Sequence, residues 1–230
     1  MNSNFKVSIL NTIMILCLAL GCRKETTDNV IAEERRLYDT LISEARPNDP
    51  DYAGAIAKIG FDQDDMESRM LLSFPQIIDL YQKEVVLSSI ANISIEVKAA
   101  SLVPVNPENI HLYLLSSPWS PFVTWNSRVS FLEGYEWQQA GGDLSNYGPF
   151  FPDISKTTNA ELSYKTLRFD ITPAIIELIS LNELISGAII LIQPSPNNAA
   201  QELTLYTSNY HSELAHPRAI LAFNQEGIFR

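Results

Sequence analysis

Four aromatic side chains next to predicted turns have the clearest potential for ligand chemistry. Trp119 stands between two Ser-Pro pairs, and Tyr147, Tyr206 and Tyr210 also lie near turn residues. An exposed aromatic ring can stack on the face of a sugar ring, so these four residues predict a carbohydrate-binding surface. The alternative is that the rings pack inside the domain, where the indole N–H or phenol O–H finds a partner.

A dense acidic segment is the second candidate site. Asp62, Asp64, Asp65 and Glu67 fall within the sequence FDQDDMESR. Carboxylate oxygens at such spacing could hold Ca²⁺, but the segment lacks the Gly and the distal bidentate Glu of an EF-hand loop. The pattern favours a solvated turn between two strands and leaves calcium binding at this loop open.

The sequence contains no other pattern typical of a metal site or a catalytic site. His111, His211 and His216 are scattered and do not form a zinc-binding pair on a helix. There is no GxSxG, HExxH or glycine-rich phosphate-binding motif. We therefore predict no metal, no cofactor, no catalytic residue and no enzymatic activity. Two carboxylates facing each other across a cleft could still hydrolyse a glycoside, so a polysaccharide-acting enzyme stays an alternative.

The chain begins with an apolar run from Val7 to Gly21. This run is shorter than the roughly 20 residues of a membrane-spanning helix, and it fits the apolar part of a secretory signal peptide. It ends in LALG before Cys22, which resembles the lipobox of bacterial lipoproteins, where the cysteine is diacylated. The sequence thus predicts a lipoprotein signal peptide over residues 1–21 and fatty acyl chains, such as palmitate, on Cys22. An ordinary secretory signal is the alternative.

Lipidation would use the one cysteine that remains after cleavage. The sequence has two cysteines, and Cys17 lies within the predicted signal peptide, so the mature domain would contain no disulfide. Residues 22–37 are charged and lack periodicity, which predicts a lipidated tether. The acyl chains would anchor the exported protein to a bacterial membrane. We expect the anchored protein to lie on the outer membrane or at the cell surface.

Alternating apolar and polar residues predict strands through most of the remaining chain. In residues 91–98 the odd positions are apolar and the even positions polar, which indicates a strand with one buried face. The apolar runs at 188–192 and 219–223 predict strands buried on both faces. Similar alternation occurs in residues 69–74, 110–114, 167–171 and 203–207.

Two segments predict short helices. Pro75–Leu87 has mixed apolar spacing and could be a short helix or an irregular crossover. Thr172 followed by Pro173 is typical of an N-cap followed by proline at the first helical position. Asp170 is placed to accept hydrogen bonds from that start. Many short strands, many turns and little helix indicate a sandwich. We predict an all-β fold over residues 38–225, an antiparallel jelly-roll-like β-sandwich with one or two short helices.

Composition and charge exclude some classes of protein and partner. The chain is 46% hydrophobic and 19% charged, which excludes a disordered protein. The 16 Lys and Arg against 27 Asp and Glu give a formal net charge of -11. Nucleic-acid binding needs Lys and Arg for the phosphates, so no nucleic-acid partner is predicted. The same charge argues against a polyanionic glycan as the ligand.

Several motifs, in order, resemble those of DNRLRE-type domains. The most distinctive is Trp119 followed by the sequence VTWN at residues 123–126, and the Trp137 segment after it also matches. The resemblance covers roughly residues 38–224. It implies a jelly-roll-like β-sandwich of secreted and surface proteins, similar in some cases to carbohydrate-binding modules. The remaining matches lie in residues 39–60, 69–74, 91–95, 169–172 and 206–220.

Together these patterns predict a lipid-anchored exported protein that acts as a non-catalytic surface binding module, with a polysaccharide or other glycan as its ligand. The second hypothesis is a structural or assembly protein of the cell envelope. Such a protein would contact an envelope protein through a sheet edge or a flat face.

Overall fold

The structure is a computed structural model. The predicted signal peptide, Cys22 and the segment Pro75–Leu87, predicted as a short helix or an irregular crossover, lie outside the residues that it describes. The described residues are 29–34, 38–50, 54–74, 90–101, 105–130, 132–158, 163–183, 185–194 and 201–224.

The described part of the chain forms eleven strands and one α-helix, α1, over Thr172–Leu181. Single 3₁₀ turns lie at Pro107–Asn109 and Glu213–Ala215. The strands are β1 (Asn29–Glu34), β2 (Tyr38–Ser43), β3 (Ile56–Phe61), β4 (Glu67–Ser73), β5 (Ile90–Ser101), β6 (Ile110–Leu115), β7 (Asp153–Thr158), β8 (Ser163–Asp170), β9 (Gly187–Ile192), β10 (Gln201–Tyr206) and β11 (Arg218–Asn224).

The strands form one curled antiparallel sheet with two arms. The first arm has the order β7-β8-β5-β11-β1, and the second has the order β2-β4-β9-β6. The pair β10–β3 joins the arms, because β10 pairs with the end of β5 and β3 pairs with the start of β4. The prediction of an all-β, antiparallel, sandwich-like fold with a short helix is confirmed.

The two arms bury their apolar side chains in one core. On β5 the odd positions Ile93, Ile95 and Val97 are buried in it, which confirms the period-two pattern. All six residues of β9 are buried, as the continuous apolar run predicts. The other strands and α1 contribute side chains such as Met70, Leu72, Ile110, Leu112, Leu167, Phe169, Ile175, Leu178, Leu203 and Leu221.

A long loop covers the outer face of the second arm. We call residues 116–152, between β6 and β7, the cover loop; residue 131 is outside the described residues. Ile42 of β2, Leu71 of β4 and Ile189 of β9 form a second apolar cluster with Trp125 and Trp137 of this loop. Because the loop supplies the covering side chains, both faces of the second arm are buried.

The VTWN motif lies at the centre of this cluster. Val123 and Trp125 are buried against the sheet. The carbonyl of Trp125 accepts the Gly141 backbone N–H at 2.6 Å, and the Trp137 indole N–H donates to the Thr124 carbonyl at 3.0 Å. These bonds tie the motif to the segment around Trp137 that follows it.

Three features differ from the prediction. Residues 29–34, assigned to the tether, form β1, which pairs with β11 along its whole length. The helix starts one residue earlier than predicted, because Ile171 is its N-cap, and Asp170 accepts the Thr172 backbone N–H at 2.9 Å as expected. Strand β7 was not predicted, since its sequence DISKTT contains a single apolar residue.

Within the described ranges, no helix is both long enough and apolar enough to span a membrane.

Candidate functional site

A cavity of about 240 Å³ lies beside Tyr147, at the end of β6. We call it the terminal cavity. Its wall combines apolar side chains with hydroxyl, amide, phenol and carboxylate groups, which is the mixture that a polar ligand with apolar faces requires. Its lining residues are Leu114, Leu115, Ser116, Leu144, Ser145, Asn146, Tyr147, Leu178, Glu183 and Ile185.

Three parts of the chain build the terminal cavity. The end of β6 meets the cover loop, because the Leu114 backbone N–H donates to the Tyr147 carbonyl at 3.1 Å. The end of α1 and the segment after it form the third wall. This segment is held to β6 by the Ser186 backbone N–H, which donates to the Leu115 carbonyl at 2.7 Å. Backbone hydrogen bonds therefore tie the cover loop and the segment after α1 to β6.

Local bonds orient the loop that carries Tyr147. The Ser145 hydroxyl oxygen accepts the Tyr147 backbone N–H at 3.1 Å. The next residue, Gly148, has a φ of 142°, and a Cβ there would lie 2.6 Å from Cδ1 of Tyr113. Glycine is therefore required where the loop passes over β6.

The groups around the terminal cavity give it a negative electrostatic potential. Glu183 is the one charged residue among the described residues that line it. Burial and the nearby carboxylates of Glu177 and Glu183 raise the pKa of Tyr147. The C-terminal end of α1, which carries a partial negative charge, lies immediately before Glu183.

The four predicted site residues do not form one surface. Tyr147 is the one that lines the terminal cavity. Trp119 is half-buried in the second apolar cluster, and its indole N–H is buried without a hydrogen-bond partner among the described residues. Tyr206 and Tyr210 contact each other elsewhere, with ring centroids 4.4 Å apart.

Tyr206 and Tyr210 have ring neighbours of their own. Tyr206 is buried with Tyr164 and Ala215 on the outer face of the first arm. Tyr210 lies between Tyr206 and His211, whose ring centroid is 4.2 Å from that of Tyr210. Tyr147 also packs against the main core and is half-buried, but it is the one of the four predicted aromatic residues that lines the terminal cavity.

Asp39 anchors the loop that carries Tyr210. Its carboxylate accepts the Ser208 backbone N–H at 2.6 Å and the Ser208 hydroxyl at 3.0 Å. Burial raises the pKa of Asp39, although the bonds from Ser208 and the charge of His216 act in the opposite direction. The β10–β11 loop is thus fixed to β2.

Beside this loop, the outer face of the first arm holds buried charges. The Glu96 carboxylate accepts hydrogen bonds from the Lys98 ammonium at 3.0 Å and from Arg218 Nε at 2.8 Å. Lys98 also donates to the Thr166 hydroxyl at 3.0 Å, and its Nζ lies 5.5 Å from the centre of the Tyr164 ring. The alternation of β5 predicts the polar face correctly, but that face is covered.

The acidic segment forms a turn in which the carboxylates of Asp62 and Glu67 have partners within the segment. Oδ1 of Asp62 accepts the backbone N–H groups of Asp64 and Met66, each at 2.9 Å, and Glu67 forms a two-bond pair with Arg69. A hollow of about 400 Å³ lies beside the turn. Among the described residues, no group of three or more His, Cys, Asp or Glu side chains could hold a metal ion.

Several cavity residues were not predicted. Glu183 follows a helix, and Asn146 and Ser145 lie in the cover loop. Each is an ordinary surface residue by type, and the sequence does not show that the chain brings them together. The Asn146-Tyr147-Gly148 sequence, a turn with an aromatic residue, is the one local pattern that points to this place.

Fold and cavity together define the class to which the chain belongs: an antiparallel β-sandwich with a small, partly polar cavity at one end. A scan against models of known protein families finds no match to this chain. A search of curated proteins finds no significant match either.

Proposed function

We propose that this protein is a lipid-anchored, exported lipoprotein of the DNRLRE type, and that it acts as a non-catalytic surface module for binding glycans. One observation carries the proposal: the terminal cavity places the aromatic ring of Tyr147 among hydroxyl, amide and carboxylate groups. Sugars present apolar ring faces and polar edges, so this wall matches both parts of a sugar.

Two features support binding rather than hydrolysis. Glycosidases place two carboxyl groups about 5–9.5 Å apart across the scissile bond. Of the described residues that line the terminal cavity, Glu183 alone carries a carboxylate. The cavity walls are also tied by backbone bonds to β6, which suits recognition of a fixed shape.

Substitution of Tyr147 by Ala is the direct test of glycan binding. We expect the affinity for the bound glycan to fall by up to about tenfold, because an aromatic contact is worth about 0.5–1.5 kcal/mol beyond its buried area. A pull-down on immobilised neutral glucan, chitosan and polygalacturonate would identify a bound polysaccharide. Titration of the wild type and the variant with its soluble oligomers would then measure the loss.

The matched control is Tyr210→Ala, which removes an aromatic residue of the other predicted pair. We expect this variant to bind as the wild type does, because Tyr210 does not line the terminal cavity. Loss of binding in Tyr210→Ala with full binding in Tyr147→Ala would move the site to the β10–β11 loop. Failure of the wild type to bind any of the polysaccharides would refute the glycan proposal.

The anchor is tested separately, through Cys22. The Cys22→Ser variant cannot be acylated, so we expect it to move from the membrane fraction to the soluble fraction of the producing cells. More than one acyl chain is needed for stable anchoring, and mass spectrometry of the wild type should show them at the N-terminal cysteine. Recovery of the intact wild type as an unacylated, water-soluble protein would contradict the proposal.

An assembly role in the envelope is the second candidate. Phe122, Leu132 and Tyr135 of the cover loop are exposed. Backbone bonds place their segments side by side, from Ser130 N–H to the Phe122 carbonyl and from Arg128 N–H to the Tyr135 carbonyl. Exposed apolar side chains that are close together are typical of protein contacts. Stable self-association or co-purification with another envelope protein would favour this role.

A further inference from the structure

The terminal cavity has the size of a single-ring site. Sites for drug-sized ligands measure about 300–1,000 Å³, whereas this cavity measures about 240 Å³. Leu178 of α1 and Ile185 after it contribute apolar side chains to its wall. A glycan would therefore enter with one terminal ring, and the rest of its chain would extend into solvent.

The charges around the terminal cavity favour a cation. Glu183 lines the cavity, and no Lys, Arg or His is among its described lining residues. The helix end adds to the negative potential, because its last carbonyls lie just before Glu183 and carry the negative end of the helix dipole.

Backbone bonds fix the position of Glu183. Its backbone N–H donates to the Leu178 carbonyl at 2.9 Å, and the Asn182 N–H donates to the Ile179 carbonyl at 3.1 Å. Asn182 has the left-handed conformation, with a φ of 56°, that commonly ends a helix. The backbone at Glu183 is thus held to the end of α1 by hydrogen bonds.

We infer that the terminal cavity binds the single end ring of a glycan, and that Glu183 selects an amino sugar whose free ammonium group faces its carboxylate. This inference rests on the proposed glycan-binding function and adds its ligand class. The ring would stack on Tyr147, while hydroxyl groups would bond to Ser116, Ser145 or Asn146. Glu183 is here a specificity-determining residue and not a catalytic one.

The test compares three ring types at one pH on the full-length mature lipoprotein in detergent. The probes are glucosamine, N-acetylglucosamine and glucuronic acid, each as a single residue and the first two also as hexamers. We expect the ammonium-bearing ring to bind about tenfold more tightly than its neutral N-acetyl form, since a hydrogen bond between charged groups is roughly twice as strong as a neutral one. The anionic ring should bind most weakly, and hexamers no more tightly than single residues.

The Glu183→Gln variant separates selection from binding. It should lose the preference for glucosamine, so that its affinities for glucosamine and N-acetylglucosamine become nearly equal. Glu183 is exposed, so the variant should fold normally, which its thermal midpoint would verify. Glu177→Gln, which removes a nearby carboxylate outside the cavity lining, should keep most of the preference.

Failure of this inference can be told from failure of the proposed function. If the wild type binds none of these sugars or polysaccharides, the glycan-binding function itself is refuted. If it binds glycans, but the affinity rises with chain length or Glu183→Gln keeps the wild-type preference, glycan binding stands and the end-ring, amino-sugar inference is overturned. Preference for the anionic ring would overturn it as well.

Discussion

Replacement of Trp125 by Ala is expected to lower the free energy of unfolding by about 3–5 kcal/mol, the usual loss when a large buried aromatic residue is truncated. The indole is 7% exposed and packs in the second apolar cluster. The Arg69 guanidinium lies 4.9 Å from the centre of the Trp125 ring, and a cation–π contact of this kind adds about 0.5–2 kcal/mol.

Surrounding backbone increases the expected loss, because the cavity left by the indole cannot easily close. Gly141 lies so near the ring that a Cβ there would be 2.8 Å from it, and its N–H is bonded to the Trp125 carbonyl. Val123 and Ile189 belong to the same cluster. A cavity that neighbouring atoms cannot fill costs the most free energy.

Urea unfolding of the wild type and Trp125→Ala would measure this difference. Trp119→Ala is the matched control, since Trp119 contacts the same cluster but is half-buried, and its loss should be clearly smaller. If both variants lose the same free energy of unfolding, Trp125 of the VTWN motif contributes no more to stability than the half-buried Trp119. An unchanged midpoint for Trp125→Ala would contradict the packing described above.

The core could be predicted from sequence because its pattern is local. The alternation of β5 and the apolar run of β9 each occupy a few consecutive residues, and burial follows directly from the two-residue period of a strand. Trp125 could also be assigned to the interior, because the apolar Val123 lies two residues before it in the VTWN motif, and both side chains belong to the second apolar cluster. In these cases the residue and its immediate neighbours carry the necessary information.

The remaining features depend on residues that are distant in the chain. Ser94, Glu96 and Lys98 form the polar face of β5, which a half-buried strand would expose, yet Tyr164 and the β10–β11 loop cover that face. Residues 29–34 are predicted as part of the tether because the segment around them is charged and lacks periodicity. Their strand partner, β11, lies at the other end of the chain.

The candidate site shows the same division between local and distant information. Tyr147 could be proposed from its type and its place in a turn. Glu183 could not, because it reaches the terminal cavity only after α1 has packed against the core through Leu178. Selectivity in the proposed site therefore comes from tertiary structure, and the aromatic contact comes from a local turn.

Replacement of Glu96 by Ala is expected to destabilise the fold by about 3–5 kcal/mol, the usual effect of removing one partner from a buried ion pair. The side chains of Glu96 and Lys98 are 8% and 3% exposed. Without the carboxylate, the Lys98 ammonium and the Arg218 guanidinium both lose an anion that they contact at 3.0 Å and 2.7 Å. Arg218 is partly in solvent, so most of the loss should come from Lys98.

The ion pair of Glu96 and Lys98 also predicts that the free energy of unfolding depends on pH. Burial alone would raise the pKa of Glu96, but the hydrogen bonds and charges of Lys98 and Arg218 outweigh it, so the pKa lies below the ordinary value of 4.5. A carboxyl group with a lowered pKa in the folded state stabilises that state at every pH above its unfolded pKa. This contribution is lost as the pH falls from about 4.5 through the lowered folded-state pKa.

Unfolding free energies of the wild type and Glu96→Ala, measured between neutral and acidic pH, would separate this effect from others. The difference between the two proteins should be constant above the unfolded pKa and should shrink as the pH falls below it. Comparison of the two proteins is necessary because Asp39, whose pKa is raised, contributes with the opposite sign in the same acidic range.

A double variant, Glu96→Leu with Lys98→Met, distinguishes loss of the ion pair from loss of packing. Apolar side chains of similar size leave no buried charge, and such replacements are often neutral or stabilising. We therefore expect the double variant to regain most of the stability lost in Glu96→Ala and to lose the pH-dependent part. If the double variant is as unstable as Glu96→Ala, an unpaired buried charge does not explain the loss of stability in Glu96→Ala.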